Sequence, residues 1–87
     1  MNYYIIDVRE PDEFITGHVK NAVNIPPSSL MAGAKELDTV SKDTNIIVYC
    51  RTGSRSNVAM HILHSLGYTH ITNGINKEQV EAKYLSL

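Results

Sequence analysis

The chain has 87 residues, 43% of them apolar and 20% charged, with no Trp and one Cys, which predicts a single soluble domain over residues 1–87 with one modest core. A formal net charge of −1 provides no global basic field for nucleic acid. No apolar run approaches the ~20 residues that span a bilayer, and a lone cysteine cannot close an internal disulfide.

Residues 1–7 lack a basic region and are too short an apolar stretch for a signal peptide. As it stands the sequence is expected in the cytoplasm, or in the periplasm if a leader has been removed. Residues 3–7 predict a short buried strand. Glu10, Pro11, Asp12, Glu13 and Phe14 put a proline at the first helical position and acids in the first turn, which predicts a helix start ended by Gly17 and His18. Residues 22–25 predict a second strand, stopped by Pro26 and Pro27. Ser28 and Ser29 can cap a helix running to about Leu37, weakened at Gly33. Lys42, Asp43 and Thr44 form a turn, and residues 45–49 are a β-branched strand. In residues 55–66, Val58, Ala59, Ile62, Leu63 and Leu66 fall within ~140° at ~100° per residue, the pattern of an amphipathic helix that Gly67 ends. Met60 lies at the edge of that arc. Residues 69–72 predict a fourth strand and residues 77–85 a terminal helix. Alternating strands and helices imply an α/β fold: a small parallel sheet of about four strands covered by helices on both faces, with sites at the C-terminal strand ends.

Cys50 stands at such an end, followed by Arg51, Thr52, Gly53, Ser54, Arg55 and Ser56. A thiolate is the reactive form of cysteine, and nearby positive charge or a helix N-terminus favours it. Two arginines flank the loop, Gly53 lets successive N–H groups turn inward, and Ser54 and Ser56 can donate hydrogen bonds or cap the helix. The expected result is an anion cradle centred on sulfur. The remaining polar candidates read as structural support. Asp7 ends a strand beside the loop and can accept loop N–H bonds, and Arg9 can pair with a carboxylate such as Glu13. His18 has a packing or hydrogen-bonding role, because a low-pKa thiolate needs no general base. His61 and His64 share a polar helix face without further metal-ligand pattern, so no metal and no cofactor is expected.

Three segments in order resemble the signatures of single-domain rhodaneses, the sulfurtransferases of the rhodanese superfamily: Ile6 to Pro11 with Glu13 and Phe14, Gly17 to Pro26, and Cys50 to Ser56. The short length and residues 67–73 are similar to the phage-shock-protein-E type of small rhodanese. The resemblance implies that Cys50 forms a persulfide from a donor such as thiosulfate and passes the outer sulfur to cyanide or a thiol. The N–H groups of residues 51–56 would hold the persulfide, and Arg51 or Arg55 the sulfonate end of the donor. It also implies a monomer that acts on small sulfur anions and can pass sulfur to a protein acceptor; the charge and the apolar runs imply neither nucleic acid nor membrane as partner. Asn73 and Gly74, with no Trp after them, stand where the family carries a Gly-Gly pair, so the wall near the site is altered.

Two alternatives remain at this point. A Cys-dependent phosphatase or arsenate reductase would want Arg six positions after the cysteine, where this chain has Ser56. A non-enzymatic persulfide carrier would need the same loop.

Overall fold

The computed structural model describes residues 3–85 of the chain. Tyr4–Asp7 (β1), Val23–Asn24 (β2), Ile46–Cys50 (β3) and Ile71–Asn76 (β4) pair in parallel in the order β2-β1-β3-β4. The expected four-stranded parallel sheet is therefore present, and all its C-terminal ends lie along one edge.

Side chains alternate across a strand, and here the alternation divides the core. Ile46, Val48 and Cys50 of β3 join Ile6 of β1 on one face, packed with Leu30, Leu37, Ala59, Leu63 and Tyr68. Ile47 and Tyr49 join Ile5 on the other, packed with Val19 and Val80. All five residues of β3 are buried, as expected of a strand covered on both faces. Tyr68 is buried in this core, and its hydroxyl donates to the Leu37 carbonyl at 3.0 Å.

The helices are Pro11–Phe14 (α1), Pro27–Met31 (α2), Ser54–Ser65 (α3) and Lys77–Val80 (α4), the last continuing as a π-helix over Glu81–Leu85. α1 starts as its sequence predicts. Pro11 takes the first helical position, and Glu10 and Glu13 form a reciprocal capping box.

Three expectations need correction. The helix expected from Ser28 to Leu37 is two pieces, α2 and a 3-10 turn at Lys35–Leu37, because Ala34 adopts φ +50° between them. That reversal lets Leu30 and Leu37 both reach the core. Its N-cap is Pro26, so Ser28 and Ser29 sit inside the first turn and do not cap it. The fourth strand runs Ile71–Asn76, beyond residues 69–72. It pairs Val48 with Asn73 and Tyr49 with Ile75, leaving Gly74 as the extra residue of a bulge. A Cβ on Gly74 would lie 2.5 Å from Val80 Cγ2 and 2.8 Å from Ile47 Cγ2, so only glycine allows α4 to seat there. Finally, α3 buries Ser56, Ala59 and Leu63 while Val58 is 58% exposed. The apolar arc is turned relative to the sequence pattern because Ser56 faces inward.

Candidate active site

Cys50 ends a central strand on the face that α3 covers, and the chain returns through a three-residue connection directly into that helix. Gly53 makes the return possible: it is the α3 N-cap at φ +97°, a conformation glycine adopts without strain. The turn points backbone donors at sulfur. The Gly53 N–H donates to Cys50 Sγ at 3.1 Å and the Ser56 N–H at 3.4 Å, and Ser56 Oγ lies 3.4 Å away.

Burial pushes the Cys50 thiol up, but hydrogen bonds from the Ser56 hydroxyl and from the N–H groups of Ser56, Gly53 and Thr52 outweigh it. The net result is a pKa below the ordinary thiol value. The sequence offered both arginine charge and inward-turned N–H groups at a helix start as causes. The hydrogen-bond donors at the helix start are the leading ones, and their geometry suits a bound anion.

The two arginines separate. Arg55 is held by Glu13 through two bonds, Nη1 to Oε1 at 2.7 Å and Nη2 to Oε2 at 3.0 Å. The bidentate Arg55 contact holds the Glu13 carboxyl down at about 2, helped by the Glu10 backbone N–H. Arg51 is exposed and lines a polar cleft of about 310 Å³ with Cys50, Arg9, Thr16, Asn76, Lys77 and Glu78. Thr52 and Ser54 sit on the exposed rim, their hydroxyl oxygens 3.3 Å apart. A larger depression of about 500 Å³ at Ser29, Ala32, Lys35 and Glu36 includes no residue of the cysteine loop.

Asp7 and Arg9 support the site differently from the expectation. Asp7 accepts no bond from the cysteine loop. Its buried carboxylate takes the Arg9 backbone N–H at 2.9 Å, the Arg9 guanidinium at 2.6 Å and the Tyr49 hydroxyl at 2.8 Å. Arg9 therefore pairs with Asp7, not Glu13, and also donates to the Gly17 carbonyl at 2.7 Å. The hydrogen bond to Asp7 raises the Arg9 pKa further, so it is a permanent cation beside the cleft. Tyr49 passes the support onward: its hydroxyl accepts the Val19 N–H at 3.0 Å. His18 stacks on Phe14 with centroids 3.7 Å apart and bonds the Phe14 carbonyl through Nδ1 at 2.9 Å. A carbonyl only accepts, so Nδ1 carries the proton.

Sequence reasoning missed Thr16, Asn76, Lys77 and Glu78 as cleft residues, and Asn73 as a contact of the loop. Asn76 and Lys77 follow the rule that sites gather at strand C-termini. Ending the fourth strand at Thr72 hid them.

A family model described as Rhodanese-like domain matches residues 1–77. The thiosulfate sulfurtransferase PspE of Escherichia coli is 40% identical over 70 residues, 78% of this chain and 64% of that protein. A mitochondrial relative from Schizosaccharomyces pombe is 39% identical, and the chain covers 56% of its length, so the chain spans less than two thirds of these curated relatives. Among solved structures, an E. coli rhodanese holding anions superimposes with a TM-score of 0.79 at 33% identity, covering 90% of this chain and 91% of that one. A human single-domain sulfurtransferase aligns with a TM-score of 0.76 at 26% identity, covering 93% and 83%.

Proposed function

The chain belongs to the family of rhodanese-like domains, and from that premise we propose that it is a sulfurtransferase with Cys50 as nucleophile and thiosulfate as a donor. The observation that carries the reading is the convergence of the Gly53 and Ser56 N–H groups on Cys50 Sγ at 3.1 and 3.4 Å. In the first half-reaction the thiolate attacks the outer sulfur of thiosulfate. The S–S bond of the donor breaks and sulfite leaves with its electron pair, so Cys50 carries a persulfide. In the second, cyanide or a thiolate attacks the outer sulfur and the Cys50 thiolate is the leaving group. The approaching anions repel, and donors fixed in advance around the sulfur reduce that cost. No second cysteine exists in the chain to take the sulfur, so the acceptor is external.

Arg51, not Arg55, holds the sulfonate end of the donor in this reading. Arg51 shares the cleft with Cys50, whereas Arg55 is committed to Glu13. Phosphoryl transfer would want a guanidinium six positions after Cys50, where Ser56 stands, and Arg55, one position earlier, is committed to Glu13. Arg51→Ala is expected to lower kcat/KM for thiosulfate by about 10- to 100-fold, the worth of one bond to a charged group. Arg55→Ala should cost about fivefold or less, the scale of a part-exposed ion pair. Steady-state kinetics of both variants check the assignment, and the reverse order would refute it.

The function is tested on the wild-type protein by intact mass. Incubation with thiosulfate should add one sulfur atom, and cyanide should remove it with release of thiocyanate. A protein left unmodified by thiosulfate and by other sulfane donors would overturn the proposal.

A further inference from the structure

Ser56 Oγ carries one proton and faces three acceptors. It donates to Asn73 Oδ1 at 2.6 Å, while the Gly53 carbonyl lies at 3.1 Å and Cys50 Sγ at 3.4 Å. The Gly53 carbonyl is already served by the Asn57 N–H at 3.0 Å and by Asn73 Nδ2 at 3.1 Å. The competition for the hydroxyl is therefore between Asn73 and Cys50. Asn73 is fixed in place: its Oδ1 also accepts the Ile75 N–H at 2.9 Å, across the bulge of β4. Two donors at Oδ1 and an acceptor at Nδ2 assign the orientation of the amide.

With the sulfur protonated, its S–H can donate to Ser56 Oγ while the Ser56 O–H donates to Asn73. With the sulfur ionised, the strongest acceptor near that hydroxyl is the thiolate, since bonds to charged groups exceed neutral ones. We propose that Asn73 is a positioning residue that keeps the Ser56 hydroxyl proton off Cys50 while the sulfur is a thiol and yields it when negative charge forms there. The proton stays on Oγ throughout, and the change is a rotation about the Cβ–Oγ bond. Asn73 thereby opposes thiolate formation to the extent that it competes for this proton. The inference rests on Cys50 being the reactive thiol but not on what it attacks, so alkylation reads it independently of sulfur transfer.

The rate of Cys50 alkylation by iodoacetamide, followed against pH, gives the thiol pKa. Asn73→Ala is expected to lower it by about 0.5 to 1, because the freed hydroxyl turns to sulfur. Ser56→Ala should raise it. In the Ser56→Ala background, Asn73→Ala should produce less than about a third of its single-variant shift, whereas a merely structural Asn73 would act equally in both backgrounds. The other charges around Cys50 are common to every variant: Arg9, Arg51, Lys77 and Glu78 in the cleft, and the Arg55 and Glu13 pair. An equal shift in both backgrounds, or an upward one, overturns the proposal. If Asn73→Ala does not fold, NMR of the wild type decides. The Asn73 carboxamide and Ile75 amide signals should titrate with the Cys50 midpoint, and should cease to do so in Ser56→Ala. Signals that do not move, or that still move in Ser56→Ala, reject it.

Discussion

Cys50→Ser should abolish sulfur loading and all turnover of thiosulfate while leaving the fold intact. Serine is near in size and keeps an acceptor for the Gly53 and Ser56 N–H groups, so the cradle retains its partner. A hydroxyl at neutral pH is not ionised, and it has no sulfur with which to store a persulfide. Intact mass after thiosulfate, with circular dichroism to show folding, checks both halves. Any turnover above background in this variant would place the chemistry elsewhere. The wild-type pH profile should agree with it. The Cys50 pKa is lowered by its oriented donors, so the thiolate fraction, and turnover with it, should rise with pH along a curve whose midpoint lies below that of an ordinary cysteine thiol. Glu13, held at about 2 by Arg55, stays ionised across that range and contributes no limb to the curve.

Most of this site is contiguous in sequence, which is why the sequence carries it. A β-branched run, a cysteine, small residues around a glycine and an amphipathic pattern place Cys50 at the end of a parallel strand and under a helix start. The partners brought from a distance were not legible. Glu13 lies 42 residues from Arg55, and nothing local indicates that it occupies one of the two arginines. Asn73 reaches Ser56 only because β4 continues past Thr72 with a bulge, and a bulge leaves no periodicity to read. The rotation of α3 has the same origin. Hydrophobic spacing puts Val58 on the buried arc, yet the helix turns Ser56 toward Cys50 and Val58 into solvent. Periodicity reads apolar burial, and here a polar contact at the sulfur sets the helix face.

Asp7→Ala should be the most destabilising single change in the support of the site. Asp7 is wholly buried and Arg9 only 8% exposed, and the carboxylate receives the guanidinium, a backbone N–H and the Tyr49 hydroxyl. Truncation leaves a cation and a phenol without their acceptor in the interior. Breaking a buried pair from one side costs about 3–5 kcal/mol, mostly the desolvation of the charge left behind. Against the ~5–15 kcal/mol that holds a typical domain together, that is a large fraction, and for a chain this short it corresponds to a fall in Tm of about 12–40 °C. Asp7→Asn keeps the shape and one acceptor and should lose less. Urea unfolding of the three proteins gives the order wild type, Asp7→Asn, Asp7→Ala in falling midpoint. A midpoint for Asp7→Ala close to wild type would show that Arg9 finds water instead. At temperatures where Asp7→Ala remains folded, the thiolate cradle is untouched, so its kcat/KM should fall far less than in Cys50→Ser. The separation follows from the architecture. The donors that act on sulfur belong to the loop between β3 and α3, whereas Asp7, Arg9 and Tyr49 lock the ends of β1 and β3 beside it.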